Sequence, residues 1–373
     1  MSVFYLILGL VLFIGLVVVH EWGHFIAARR SGVAVEEFGV GFPPKIWGKK
    51  IKTAKSKFLF TINLLPLGGF VRLKGENDSA TEKGSFGAAP ISAKVKIMLA
   101  GVTMNLLVAF GLFSVLAAVG MPKLVDNQYT LASDTKTVKE VQNKEVVLVS
   151  SVVKGSPAER AGLQVNDRVL QVNSQQITDT GQVAAATKAN AGKTIPLVVS
   201  RGGQEVSVVV SLNAQNSGDG YLGVGSSSGQ SGLELRRSTW SSPLVAAGLI
   251  KQFSELTYKG LGTAISSLFK GDTQKASEQV SGPVGIFYIL KEGGKLGINF
   301  VLMIIAIISL TLALINILPI PALDGGRLFV TLLFRTIRKP LTKAREEWIH
   351  GSGFVALMGL FVLITIVDVK RFF

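Results

Sequence analysis

Four stretches of the chain contain no Asp, Glu, Lys or Arg: residues 1–19, 97–122, 296–323 and 351–367. A helix needs about 17–25 apolar residues to cross the hydrocarbon of a bilayer. These windows predict four transmembrane segments, placed at residues 1–28, 97–122, 296–323 and 351–369. The first reads as a span rather than a cleaved signal, because no Lys or Arg precedes its apolar run and no small-residue cleavage pattern follows it. A different period appears between the first two spans. Phe58, Phe60, Ile62 and Leu64 alternate and lead through Pro66-Leu67-Gly68-Gly69 into Phe70-Val71-Arg72-Leu73, which predicts two strands about a Pro/Gly turn. So apolar a hairpin belongs on or in the membrane face. Its open edge must be buried in protein or meet an extended ligand, since lipid offers no hydrogen bonds; a short hairpin with a purely structural role is the other reading.

Residues 123–232 carry soluble-domain patterning. Val146-Val147-Leu148-Val149 is strand-like, and Gly155-Ser156-Pro157-Ala158-Glu159 supplies an N-cap serine, a proline at the first helical position and a glutamate three residues beyond the cap. Gly162 closes that helix. Asn166-Asp167 leads into Arg168–Val172, Asn173-Ser174 is a turn, Asp179 and Thr180 cap a second helix to about Ala189, and Arg201-Gly202-Gly203-Gln204 joins two β-rich runs. The stretch from Gly155 through Asn173 resembles a PDZ domain of the bacterial type, covering about residues 146–213. Such folds bind extended peptides or free carboxyl termini by strand addition; a β-rich domain packed only against its own protein is the alternative. The Asn/Gly/Ser excess of residues 214–232 reads as a flexible linker. In the juxtamembrane segment 233–295, apolar positions from Leu244 to Phe269 recur with helical spacing and lysines interspersed. This fits an amphipathic helix on the outer membrane surface, or one packed under the PDZ-like domain.

Charge orients the spans. The chain has 373 residues, a formal charge of +15 and only 17% charged residues, against about 25% in soluble proteins. Residues 29–96 hold 13 Lys/Arg and 5 Asp/Glu, residues 324–350 hold 6 and 3, and residues 120–295 hold a near-balanced 18 and 14. By the positive-inside rule the first two segments are cytoplasmic, both termini face outward, and residues 120–295 lie outside. No aromatic ladder interleaves the basic residues, so nucleic-acid binding is not indicated. The absence of cysteine excludes disulfides, thiolate metal sites and thiol nucleophiles.

The chemistry sits in His20-Glu21-Trp22-Gly23-His24, continuous with the first apolar helix. Residues four apart lie on one helix face, so both imidazoles can meet one metal ion, and the H-E-x-x-H order is the zinc metalloprotease motif. Ionisable groups inside a membrane are costly and mark function. A catalytic zinc takes a third protein ligand and keeps one position open. Asp324 is the candidate, in Asn316-Ile317-Leu318-Pro319-Ile320-Pro321-Ala322-Leu323-Asp324-Gly325-Gly326-Arg327, where two prolines break the third span. The predicted topology puts Asp324 and the two histidines in the same leaflet. His350, before the fourth span, reads as an interfacial histidine.

Taken together, His20–His24, Asn316–Gly325 and the PDZ-like domain resemble the site-2 protease family of intramembrane zinc metalloproteases, in its bacterial branch that includes the regulator-of-sigma-E protease. Gly101-Val102-Thr103-Met104-Asn105, the strands around Gly68-Gly69-Phe70, and Gly282-Pro283-Val284-Gly285 match further family segments. The resemblance implies a four-helix polytopic protein of the bacterial inner membrane, with a membrane-associated β-hairpin and an inserted extracytoplasmic α+β PDZ-like domain, here single rather than tandem. It implies Zn2+ held by His20, His24 and Asp324, Glu21 as catalytic base, and an active site toward the cytoplasm. Candidate substrate contacts are Asn316, Pro319, Pro321, Gly68, Gly69 and Phe70; Asn105 is divided between substrate contact and tying helices together. The implied activity is hydrolysis within transmembrane segments of single-span proteins, either regulated intramembrane proteolysis of a substrate such as an anti-sigma factor or removal of remnant signal peptides, in contact with membrane lipid. A catalytically silent receptor binding partners through the PDZ-like domain is the alternative from another class. A transporter is disfavoured by four spans without inverted repeats.

Overall fold

The computed structural model describes residues 2–53, 56–125, 127–140, 144–201, 204–216, 220–231, 234–270 and 282–372. The expected Gly202-Gly203 turn, parts of the 214–232 linker and residues 271–281 lie outside them. Two compact units result, one of residues 1–136 with 236–373, the other of residues 137–235.

In the first unit, α1 (Ser2–Arg30), α2 (Ile91–Val119), α7 (Ile298–Asn316) and α9 (Lys343–Phe372) contain, among the described residues, four segments long and apolar enough to cross a membrane. The third and fourth differ most from their expected extents. The third is helical only to Asn316, because Pro319 and Pro321 lack the N–H groups that would continue it. The region 324–350, expected as a loop, is mostly helix: α8 covers Asp324–Thr336, and α9 begins at Lys343. The interspersed lysines of the juxtamembrane segment mark one face of α5 (Ser242–Phe269); its other face buries Val245, Ala246, Leu249 and Phe253 against α2 and α7. The Phe253 ring stacks on Phe113 at 5.9 Å. Asp134 caps α5: its carboxylate accepts from the backbone N–H of Thr239 and Ser241 (2.8 and 3.0 Å) and from both hydroxyls (2.5 and 2.6 Å). These hydrogen bonds hold its carboxyl well below the usual carboxylate range. The Gly282–Gly285 segment opens α6 (Pro283–Gly293). Asp368 of α9 accepts from the N–H groups of Gly282 and Gly285, both at 2.8 Å, and so satisfies a helix N-terminus that would otherwise be orphaned in an apolar setting.

The hairpin has a different register from the expected one. β1 (Val35–Thr53) and β2 (Ser56–Leu73) pair with each other, but residues 59–62 run alongside 37–40 while residues 69–73 run back alongside 35–40. The chain thus reverses between them as the Pro/Gly segment predicts, and the two strands it joins flank β1 instead of pairing with each other. Residues 45–53 face 56–63, whereas Val40 faces both Ile62 and Gly69. The first half of β1 therefore sits between the two segments expected to pair with each other. Periodicity identifies strands but not partners, and Val35 and Phe38, which share the core with Phe25, Leu73 and Phe86, fix this choice by burial. Residues 65–73 are left as an outer edge.

The second unit is a sheet with helices. β3 (Lys144–Val152), β4 (Arg168–Val172), β5 (Gln175–Gln176), β6 (Thr194–Arg201), β7 (Gln204–Ser211) and β8 (Val224–Ser231) run in the order β8-β3-β4-β6-β7, with β5 against β4. Helices α3 (Pro157–Arg160) and α4 (Thr180–Ala189) carry the expected caps, Ser156 Oγ accepting from Glu159 N at 3.2 Å and Asp179 Oδ1 from Gln182 N at 3.0 Å. β8 corrects the linker reading. Its Gly/Ser composition suggests no regular structure, but Leu222 is buried in the core and anchors the strand, whose backbone completes the ladder with β3.

Asp167 is buried at the start of β4, where Arg201 donates to both its oxygens (2.8 and 2.7 Å) and Gln164 N donates at 2.9 Å. Burial pushes this carboxyl up, but the hydrogen bonds from Arg201 and Gln164 outweigh it, so the group sits below its ordinary value. A carboxyl depressed in the folded state adds stability that is complete above the unfolded value of about 4 and is lost as pH falls through the folded one. The thermal-stability gap between wild type and Asp167→Asn is therefore expected to be full near neutral pH and to shrink below about pH 4. A gap that stays constant on acidification would remove the ion pair as its cause.

Candidate active site

His20 and His24 project from the same face of α1, one turn apart. Asp324 reaches them as the first residue of α8, after an irregular bend at residues 317–323. Inside the bend Ile320 N donates to Leu318 O at 2.8 Å and Leu323 N to Ile320 O at 3.1 Å. Gly325 and Gly326 are required there. A side chain at either would run into the backbone carbonyls of Ile317 and Ile320. Ala322 holds a left-handed φ of 74°, and its N–H donates to His350 Nδ1 at 3.2 Å. His350 is thus a prop for the bend.

His20 Nε2, His24 Nε2 and Asp324 Oδ2 form a triangle with sides of 3.1, 3.2 and 3.2 Å. Ligands about 2.0 Å from a tetrahedral metal lie about 3.3 Å apart, so the triangle has the dimensions of three corners of such a site. Its chemistry agrees. His24 Nδ1 lies 2.7 Å from the carbonyl oxygen of Ile97, which can only accept, so Nδ1 carries the proton and Nε2 presents a lone pair. Asp324 Oδ2 is buried and makes no hydrogen bond among the described residues. The His24 lone pair and the unpartnered Asp324 oxygen converge at a distance that suits a cation between them. Space is provided by Gly101 of α2, where a Cβ would fall 2.5 Å from both Nε2 atoms. Gly23 allows that approach, since a Cβ on it would lie 2.6 Å from Ala100 O. The residues present fit a divalent metal.

Glu21 neighbours Gly69 of β2, where an added Cβ would stand 3.3 Å from Glu21 Cγ. Gly68 and Gly69 are buried and Phe70 half-buried; a side chain on Gly68 would strike the Phe42 ring. The outer edge of the sheet thereby runs beside Glu21. Asn316 is half-buried at the end of α7, Pro319 is exposed and Pro321 half-buried, with Gly353 of α9 packed on Pro321. Asn105 lies elsewhere. Its side chain is only 1% exposed, and its amide meets His20 Nδ1 at 3.2 Å. The four-residue spacing of Gly101 and Asn105, which places both on one face of α2, is the signal the sequence offers for it. Arg327 carries no such signal. One turn after Asp324, it donates to Glu76 Oε1 at 2.8 Å and to the Glu76 carbonyl, with its guanidinium 5.0 Å over Phe86. It ties α8 to the segment that follows β2. A cavity of about 360 Å³, lined by Glu76, Asp324, Arg327 and His350 among others, opens beside the triangle.

The family model for peptidase family M50 matches residues 8–360. The chain belongs to peptidase family M50. Among M50 relatives, the Clostridium perfringens protein CPE1693 is 31% identical over 368 residues, covering 98% of both chains. Zinc metalloprotease RasP of Geobacillus kaustophilus is 27% identical over 430 residues, covering 98% of this chain and 97% of the relative. RasP of Oceanobacillus iheyensis is 27% identical over 423 residues, covering 96% and 97%. For an M50 peptidase, helices long enough to span a bilayer are the setting of the motif, and a catalytically silent receptor is not favoured.

Proposed function

We propose that the chain is an intramembrane zinc endopeptidase that cleaves transmembrane segments of single-span membrane proteins. The observation that carries this reading is the triangle of His20, His24 and Asp324 at the end of an apolar helix. The zinc metalloprotease relatives support zinc as the ion. Zinc bound there would polarise the scissile carbonyl and make water a nucleophile near neutral pH. Glu21, adjacent to His20 but outside the triangle, takes the proton from that water and delivers it to the leaving amine.

A transmembrane helix hides its carbonyls in its own hydrogen bonds, so the substrate must open locally. The edge formed by residues 65–73 can accept the opened segment as an added strand, and glycine at positions 68 and 69 lets that segment pass close to Glu21. Asn316, Pro319 and Pro321, at the broken end of α7 that leads to Asp324, are further candidates for contact with the opened segment. The cavity beside Asp324, lined by Glu76, Arg327 and His350 among others, would give water access to the site. In this reading both termini are extracytoplasmic and the triangle lies toward the cytoplasm, an orientation that the loop charges support. The second unit is the extracytoplasmic PDZ-like domain, which would screen substrates by size or bind their carboxyl termini. Regulated proteolysis of a shortened substrate and clearance of remnant signal peptides use the same chemistry.

Purified protein is expected to contain one zinc per chain and to cleave a model transmembrane peptide, with activity lost on chelation and restored by zinc. Stoichiometric zinc without cleavage of any tested helix would refute the peptidase reading.

A further inference from the structure

Asn105 is an expensive residue for its place, with a side chain almost wholly buried in the second apolar helix. Its contact is His20 Nδ1, at 3.2 Å from Nδ2, while its Oδ1 is buried without a hydrogen-bond partner among the described residues. In that orientation the amide N–H would donate to Nδ1, which leaves the ring proton on Nε2, the atom that faces His24 Nε2 and Asp324 Oδ2. A protonated Nε2 cannot ligate a metal. A half turn of the amide, which exchanges its oxygen and nitrogen, resolves both problems. Oδ1 gains its missing partner by accepting from Nδ1–H, and His20 Nε2 turns a lone pair to the triangle. His24 reaches the same state through the Ile97 carbonyl. Ser309 Oγ bonds the backbone oxygen of Asn105 at 2.8 Å, which fixes the main chain and leaves the amide to serve the ring.

We propose that Asn105 is a positioning residue whose Oδ1 accepts from His20 Nδ1–H and so sets the tautomer in which His20 ligates the metal. The inference rests on the zinc reading above. It moves Asn105 from the substrate contacts to the support of the site, and it explains the Gly101-x-x-x-Asn105 spacing: on one face of α2 the glycine clears room for the imidazole tips and the asparagine holds the back of one ring. Partners of this kind are worth about 10–100-fold in metal affinity.

The test compares the zinc affinity of the folded, detergent-purified full chain, by competition with a chromogenic chelator, among wild type, Asn105→Leu and Asn105→Asp. Leucine matches the size of asparagine but cannot accept; aspartate accepts more strongly. The expected order is aspartate equal to or tighter than wild type, with leucine weaker by about 10–100-fold. A residue that only packs or ties helices gives the reverse order, because leucine suits an apolar interface and a buried carboxylate does not. That reverse order, or equal affinity in wild type and Asn105→Leu, would overturn the proposal. Wild type without zinc would instead overturn the function it rests on. If the leucine variant does not fold, loss of zinc in Asn105→Asp still sinks the idea, and its retention upholds it.

Discussion

Glu21→Gln is expected to keep its zinc and lose its activity. The substitution preserves size and hydrogen bonding but removes the ability to take a proton. Glu21 lies on α1 directly after His20, outside the triangle of His20, His24 and Asp324, so no ligand is lost. A positioned proton-transfer group is worth about 10²–10⁴-fold in rate. Cleavage of a transmembrane peptide should fall by that factor while zinc stoichiometry and thermal stability match the wild type. Equal rates for the two proteins would remove Glu21 from the mechanism. A variant that loses zinc would mean that the carboxylate is a ligand, which the geometry does not support. The result is specific because His20→Ala or Asp324→Ala should lose zinc and activity together.

The parts of this site that are local in the chain are legible in the amino-acid sequence alone. The i, i+4 histidines need only helical geometry, and Asp324 stands out as an acid at the end of a charge-free window broken by two prolines. The bend can be read because proline removes donors wherever it stands. Partner choice is a different matter. The alternation of residues 58–64 and 70–73 marks strands correctly, but whether these segments pair with each other or with residues 35–42 depends on which arrangement buries Val35 and Phe38 beside Phe25. Likewise Val224–Ser231 has the composition of a linker and forms a strand because Leu222 is anchored in a core assembled from distant residues. Arg327 reads as a cytoplasmic orienting charge, and only the fold brings Glu76, 251 residues away in sequence, to its guanidinium. Asn105 is recognisable as unusual, but its role depends on the ring it faces.

Gly101→Ala is expected to empty the metal site with the smallest change available to an amino acid. The added methyl would lie 2.5 Å from His20 Nε2, His20 Cε1 and His24 Nε2, where ordinary contact begins at 3.4 Å. The imidazole tips would have to retreat by about 1 Å, whereas metal–ligand distances tolerate only about 0.2 Å. Neither ring has room to adjust. His24 is held by the Ile97 carbonyl at 2.7 Å, and His20 has the Asn105 amide behind it at 3.2 Å. Separating the helices instead would open the contact of Gly23 with the Ala100 backbone, which both glycines exist to permit. Zinc content should therefore drop to a small fraction of one per chain, and proteolysis should drop with it. Helical content should be unchanged, since alanine favours a helix over glycine by about 1 kcal/mol. Gly111→Ala is the control. It lies on the same helix with no described residue within 4 Å of the new methyl, so zinc and activity should be retained. Full zinc occupancy in Gly101→Ala would show that the two imidazoles do not meet the ion where α2 faces them, and the ligand triangle would have to be abandoned.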